Sequence, residues 1–131
     1  IKNAVEFVSK ISKRKNVIFV ISDFIDENFW TEMKYLNFNH DVIGLQIYDL
    51  FEKEFPDLGL IKVHNSESNE RIWIDTSNEK IRSDFSKDSS KRLNNFAKKC
   101  KNIGLDLLQI NTDEDYIKAL TRFFKRRAKR S

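Results

Sequence analysis

Apolar positions along the chain change rhythm several times, and each change predicts an element. Ala4, Phe7, Val8 and Ile11 recur at the spacing that puts side chains on one helix face, so a helix is expected there, closing in Lys13, Arg14 and Lys15. VIFVIS, residues 17–22, then runs through five apolar positions without alternation. A strand of that kind is expected to be covered on both faces, the habit of parallel sheets. Asp26 is placed to cap a second helix, in which Phe29, Met33 and Leu36 share a face. DVIGLQIY, 41–48, reads as the second strand. LIKV and RIWID flank the polar HNSESNE, the pattern of a hairpin inserted into the alternation of strands and helices. Thr76 and Glu79 have capping-box spacing ahead of a long helix with Ile81, Phe85, Leu93, Phe96 and Cys100 inward. Gly104 is placed to end that helix, and LDLLQI, 105–110, is the third core strand. Thr112 and Asp115 repeat the capping spacing before a final helix bearing Ile117, Leu120, Phe123 and Phe124.

This order predicts an α/β fold with about three parallel core strands, flanking helices and an inserted β-hairpin. All of it is expected within a single domain spanning 1–131. Hydrophobic residues at 40%, charged residues at 34% and eleven Phe describe a folded chain rather than a disordered one. No apolar run reaches the length of a membrane span and no signal peptide is visible, so a soluble chain is expected. The single Cys100 leaves no internal disulfide and suits a reducing, cytoplasmic compartment. It shares a helix stripe with Leu93, Phe96 and Ala97, as a buried structural thiol would. The net charge of +4 depends on Lys125, Arg126, Arg127, Lys129 and Arg130, without which the remainder carries −1.

Strands of such a fold end on the rim where ligands bind. Asp23, Asp26, Glu27, Asp49, Glu52, Asn111, Asp113, Glu114 and Asp115 fall on that upper rim, while Lys13, Arg14, Lys15, Lys98, Lys99, Lys101 and the basic tail fall on the lower one. Helix macrodipoles favour this segregation by about 0.3–1 kcal/mol per charge, which accounts for much of it. An acidic rim also suits a divalent cation. A basic face also suits nucleic acid, anionic lipid or an acidic protein. Asp23 stands out, because capping explains Asp26 and the 113–115 acids, whereas Asp23 simply ends the most apolar strand. One carboxylate alone does not make a cation site.

Four blocks carry a resemblance: VIFVISDF, HDVIGLQIYD, EKEFPDLGLIKVHNSESNERIWIDT and GLDLLQINTDEDYIKALTRFFKRR. In that order they are similar to a bacterial family of von Willebrand factor A-like proteins, domain of unknown function family fifty-eight, often encoded beside MoxR-type AAA ATPases. The resemblance implies the C-terminal half of a von Willebrand A-like domain, a view that a start at Ile1 inside a helical pattern also favours. It implies that Asp23 is the third-loop Asp of a metal-ion-dependent adhesion site. The Asp-x-Ser-x-Ser element of that site has no match here, since SKDSS, 86–90, lies within the long helix. Mg2+ is therefore expected in a full-length parent and not in this chain alone. The implied role is a non-enzymatic interaction module that partners a MoxR-type ATPase in a chaperone-like assembly. With earlier strands missing, strand 17–22 would offer an open apolar edge through which the chain forms homo-oligomers.

The competing enzymatic reading is a metal-dependent phosphodiesterase or nuclease using Asp23, Asp49 and Asp113 at three strand ends. His40-Asp41 resembles the pair of HD-type phosphohydrolases, yet it begins a strand on the opposite rim, so His40 is expected to be structural. A receiver domain would need a Lys that LQINTD lacks. No nucleophile elbow is present, and Gly44, Gly59 and Gly104 form no phosphate loop. A basic lower face that bound nucleic acid would show steep salt dependence. Trp30 is expected to flank its helix's packing face. Trp73 either covers the hairpin sheet or offers an exposed anchor to a partner.

Overall fold

The computed structural model describes residues 1–49, 54–64 and 70–130. In chain order the elements are α1 Lys2–Ile11, β1 Val17–Ser22, α2 Trp30–Asn39, β2 Asp41–Tyr48, β3 Leu60–His64, β4 Arg71–Asp75, α3 Glu79–Asn102, β5 Asp106–Asn111 and α4 Tyr116–Ala128. They form two compact units, one made of Ile1–Tyr48 with Asn95–Ser131 and the other of Asp49–Asn94. The fold is mixed α/β, with a partial Rossmann-like parallel sheet and an antiparallel hairpin, as the sequence predicts. Glu52 and the hairpin turn 65–69 lie outside the described residues.

The first unit holds a parallel sheet of order β1-β2-β5. Its register sets Phe19 beside Ile43, Ile21 beside Leu45, and Leu45 beside Leu108. One face packs under α1, α2 and the end of α3, where Val5, Phe29, Met33, Leu36, Val42, Phe96, Cys100 and Leu105 are buried. Burying each of the larger of these apolar side chains contributes about 1.5–3 kcal/mol. On the opposite face, Ile43, Leu45, Leu108 and Ile110 pack against Phe123 of α4, with Leu120 and Ile47 alongside.

Strand β1 departs from expectation. Instead of being covered twice, it alternates between exposed and half-buried residues. It is the end strand, and α4 packs over β2 and β5. The helix stripes are shifted as well. Val5 is the buried residue of α1, whereas Phe7 and Ile11 are exposed; in α4, Ala119 and Phe123 are buried while Ile117 is exposed.

The caps also differ from the sequence pattern. Phe29 occupies the N-cap of α2 without a side-chain bond, and Asp26 instead accepts the Asn28 N–H at 3.0 Å. Asp115, not Thr112, caps α4 by accepting the Ile117 and Lys118 N–H groups. Gly104 does end α3. At φ 68° it adopts a left-handed conformation natural to glycine. Its N–H donates to the Lys101 carbonyl, and the Leu105 N–H donates to the Cys100 carbonyl at 2.9 Å. That bond pair is a Schellman closure, reinforced by burial of Leu105 and Cys100 in one cluster. Burial pushes the Cys100 thiol up to about 12, which leaves it an inert core residue as expected.

In the second unit, β3 and β4 pair antiparallel with Leu60 opposite Asp75 and Lys62 opposite Trp73. Thr76 does not cap α3. It is buried, its hydroxyl donates to the Gly59 carbonyl at 2.6 Å and accepts the Leu58 N–H at 2.9 Å, and so it ties the strand ends together. Phe55 and Phe85 stack edge to face at 4.3 Å, while Ile81 is exposed rather than inward. Trp73 is exposed, with the Lys62 ammonium 5.6 Å above its ring. Among the described residues no helix is long and apolar enough to cross a membrane.

Candidate functional site

Asp23 follows β1 directly, and its loop is held by neighbours on both sides. Its Oδ1 accepts from the Ser22 hydroxyl at 3.2 Å and from the Ile25 N–H at 3.3 Å. Ser22 Oγ in turn accepts the Phe24 N–H at 3.1 Å. Phe24 stands at φ 55°, a conformation that costs a non-glycine residue about 1–2 kcal/mol. Its ring offsets that cost by packing 5.6 Å from Phe29 and 4.8 Å from Phe96 in the core.

Beneath the loop runs a polar row that sequence reasoning missed. The register aligns Ser22, Gln46 and Gln109 across all three strands. Buried Gln46 donates to the Asp23 carbonyl at 3.2 Å and accepts from Gln109 Nε2 at 2.8 Å. The available signal was a glutamine inside the otherwise apolar GLQIY, since a buried amide must find partners.

Three more rim acids have local duties. Asp115 caps α4 and lies 3.3 Å from Lys118, and Glu114 pairs with Arg122 at 3.2 Å. Glu27 pairs with Lys99 at 3.0 Å, and the same ammonium lies 5.5 Å from the Trp30 ring. Lys99 therefore serves the upper rim, not the lower one. Trp30 packs on Phe29 and Phe96, flanking the core as expected. Among the described residues no three His, Cys, Asp or Glu side chains converge closely enough to hold a metal ion. Mg2+ demands near-octahedral oxygen coordination, and Asp23 with its bonded Oδ1 does not meet that demand alone.

The lower rim is less purely basic than the charge pattern implied. Arg127 pairs with Asp41 at the start of β2 and with Asp106 at the start of β5, the latter at 2.9 Å. Arg130 approaches Asp106 at 3.8 Å. Part of the tail's charge is thus committed within the fold. His40 is buried, and its Nδ1 accepts the Asn16 N–H at 3.3 Å, a structural role.

What remains open is β1 itself. It ends the sheet, so one side of its main chain faces no strand among the described residues. Val17, Phe19 and Ile21 are 57%, 46% and 65% exposed. Phe124 of α4 stands edge-on to Phe19, the middle residue of this patch, with ring centroids 6.2 Å apart. An apolar groove of about 290 Å³ runs along the same strand between Ala4, Val5 and Val8 of α1 and Ile18, Val20 and Ile21 of β1. VIFVIS carries no charge, proline or bulge, the devices that usually protect an edge.

A family model described as a protein of unknown function, DUF58, matches residues 1–94. The uncharacterized protein MAV169 of Mycobacterium avium is 25% identical over 127 residues, covering 95% of this chain and 73% of its own length. The uncharacterized proteins Mb1516 of Mycobacterium bovis and Rv1480 of Mycobacterium tuberculosis are each 24% identical over 123 residues, covering 92% of this chain. The chain spans only 38% of the length of those two relatives. No solved structure matches it significantly.

Proposed function

The chain belongs to the DUF58 family of proteins of unknown function, and on that premise we propose that it is a non-enzymatic protein–protein interaction module. In this reading residues 1–131 are the C-terminal half of a von Willebrand A-like domain. The partner is a MoxR-type AAA ATPase in a cytoplasmic, chaperone-like assembly. The observation that carries the reading is the exposed apolar face of β1, Val17, Phe19 and Ile21, with the fixed Asp23 loop at its end. A contiguous exposed apolar patch on an otherwise charged chain marks a contact surface. Asp23 would supply one oxygen of an Mg2+ site completed by donors from outside these 131 residues.

The test is calorimetric titration of the chain with a MoxR-type ATPase. Binding is expected for the native chain, and loss of at least about tenfold in affinity for Val17→Ser with Ile21→Ser, since two apolar contacts contribute well over 1.4 kcal/mol. Unchanged affinity in that variant would sink the assignment of the surface. Mg2+ titrated into the chain alone should give no saturable heat, and a tight site there would contradict the idea that donors are supplied from elsewhere.

A further inference from the structure

The two flanks of α4 carry different chemistry. On one, Phe124 meets Phe19 of β1. On the other, Lys118, Arg122, Lys125, Arg126 and Lys129 are all exposed and fall at helical spacing along a single stripe. The macrodipole favours cations in the last turn of a helix, yet this stripe already begins in the first. Two of its members are partly neutralised, Lys118 lying 3.3 Å from Asp115 and Arg122 lying 3.2 Å from Glu114. Lys125, Arg126 and Lys129 have no ion-pair partner among the described residues.

Beside the stripe a groove of about 460 Å³ runs between α4 and β5. Arg122, Lys125 and Arg126 line it together with Leu108 of β5 and Ala119 of α4, two residues of the apolar core. The groove sits over β5, at the opposite end of the sheet from β1. Strands that extended the sheet beside β1 would join it on the far side.

Cations without acids, set beside an apolar floor, fit a ligand with carboxylates along one side and apolar side chains next to them. Successive cations step along α4 by about 4.5–6 Å, the rise of three or four helical residues. Acids at i, i+3 or i+4 and i+7 of a second helix lying alongside repeat at the same steps, and arginine guanidinium groups donate to carboxylates in bidentate pairs. A nucleic-acid strand fits less well, because among the described residues no aromatic side chain lines the groove to stack a base. We propose that the groove between α4 and β5 docks an acidic amphipathic helix of a protein partner, with Lys125 and Arg126 as its main charge contacts. The mode is that of a helix laid in a groove. The inference rests on reading the chain as an interaction module and gives that module a second contact, separate from the face of β1.

Fluorescence anisotropy of the purified chain with a labelled helical peptide tests it, the probe bearing a stripe of glutamates and an adjoining stripe of leucines. Saturable binding is expected, with a loss of at least about tenfold for Lys125→Glu with Arg126→Glu, as two attractive pairs become repulsive. Both positions are exposed, so this variant should unfold at the native urea midpoint. A probe with lysines in place of its glutamates should bind the variant better than it binds the native chain. Lys13→Glu with Lys15→Glu makes the same change in net charge before β1 and should leave affinity within about twofold, because exposed charges beyond a Debye length are screened. Val17→Ser with Ile21→Ser should bind the probe as the native chain does, so that failure of this docking and failure of the ATPase assignment are separate results. Binding that does not saturate, or equal losses in the two charge-reversed variants, would overturn the groove as the site. A probe with serines for leucines that bound as tightly would overturn the amphipathic occupant. Tighter binding of a short DNA duplex than of the probe would overturn the choice of a protein partner.

Discussion

β1 and β2 read almost alike, VIFVIS beside DVIGLQIY, and they pair in register from Val17 with Asp41 to Ser22 with Gln46. Yet β2 is buried through its middle five residues, whereas β1 alternates between exposed and half-buried. Apolar content therefore says that a strand belongs to an interface; whether this chain supplies the other side of that interface depends on position in the sheet. The comparison breaks most sharply at Ile43, which is fully buried between Leu45, Leu108 and Phe123. Ile43→Ala should cost about 2–5 kcal/mol, the range for a large-to-small change in a closed core. The midpoint of urea unfolding measures it. A loss under about 1 kcal/mol would mean that β2 is no better packed than β1.

The next largest effect concerns the polar row that links the two strands. Gln46→Leu removes the partner of both Gln109 and the Asp23 carbonyl. Losing those two bonds should cost about 1–3 kcal/mol, and proton exchange at the Phe24 and Ile25 amides should quicken as the Asp23 loop loosens. Unaltered exchange there would show that the loop does not depend on β2. Arg127→Ala tests the other end of β2. The guanidinium and its two carboxylate partners are only about one-quarter to one-third exposed. Its loss should cost about 1–2 kcal/mol, between the values for an exposed pair and a buried one. Arg122→Ala, at a well-exposed pair with Glu114, is the control and should fall within about 0.5 kcal/mol of the native chain.

The contrast also explains what the sequence revealed. Strands 17–22 and 41–48 were legible to the residue because their apolar runs are bounded by charge. The terminating role of Gly104 was equally plain, since it depends only on a local backbone conformation. The exposure of β1 was not, because it is decided by which strands and helices lie beside it. The Arg127 pairing with Asp41 spans 86 positions of sequence, and no spacing rule reaches that far. Helix starts misled for a different reason. Thr76 has the residue type and spacing of a cap, but its hydroxyl is engaged by Gly59 and Leu58. Asp23 does follow the end of β1, where its place after VIFVIS put it. Its bonds to Ser22 and Ile25 give it a structural duty that the sequence pattern did not reveal.

The smallest expected effect is the one most peculiar to β1. Ile21 is 65% exposed although its neighbour in register, Leu45, is buried. Ile21→Thr keeps the β-branched shape that strands favour and removes apolar surface that the monomer leaves in water. Unfolding of a dilute sample should therefore shift by no more than about 0.5 kcal/mol, as for other surface changes. The same substitution removes part of the face proposed to meet a protein partner, so partner affinity should fall while the stability of the chain holds. A loss of more than about 1 kcal/mol in the dilute monomer would mean that something in the chain already covers this face, and the difference between β1 and β2 would then be one of degree. Stability held and partner affinity lost would instead assign the apolar character of β1 to contacts with a partner, where that of β2 serves contacts within the chain.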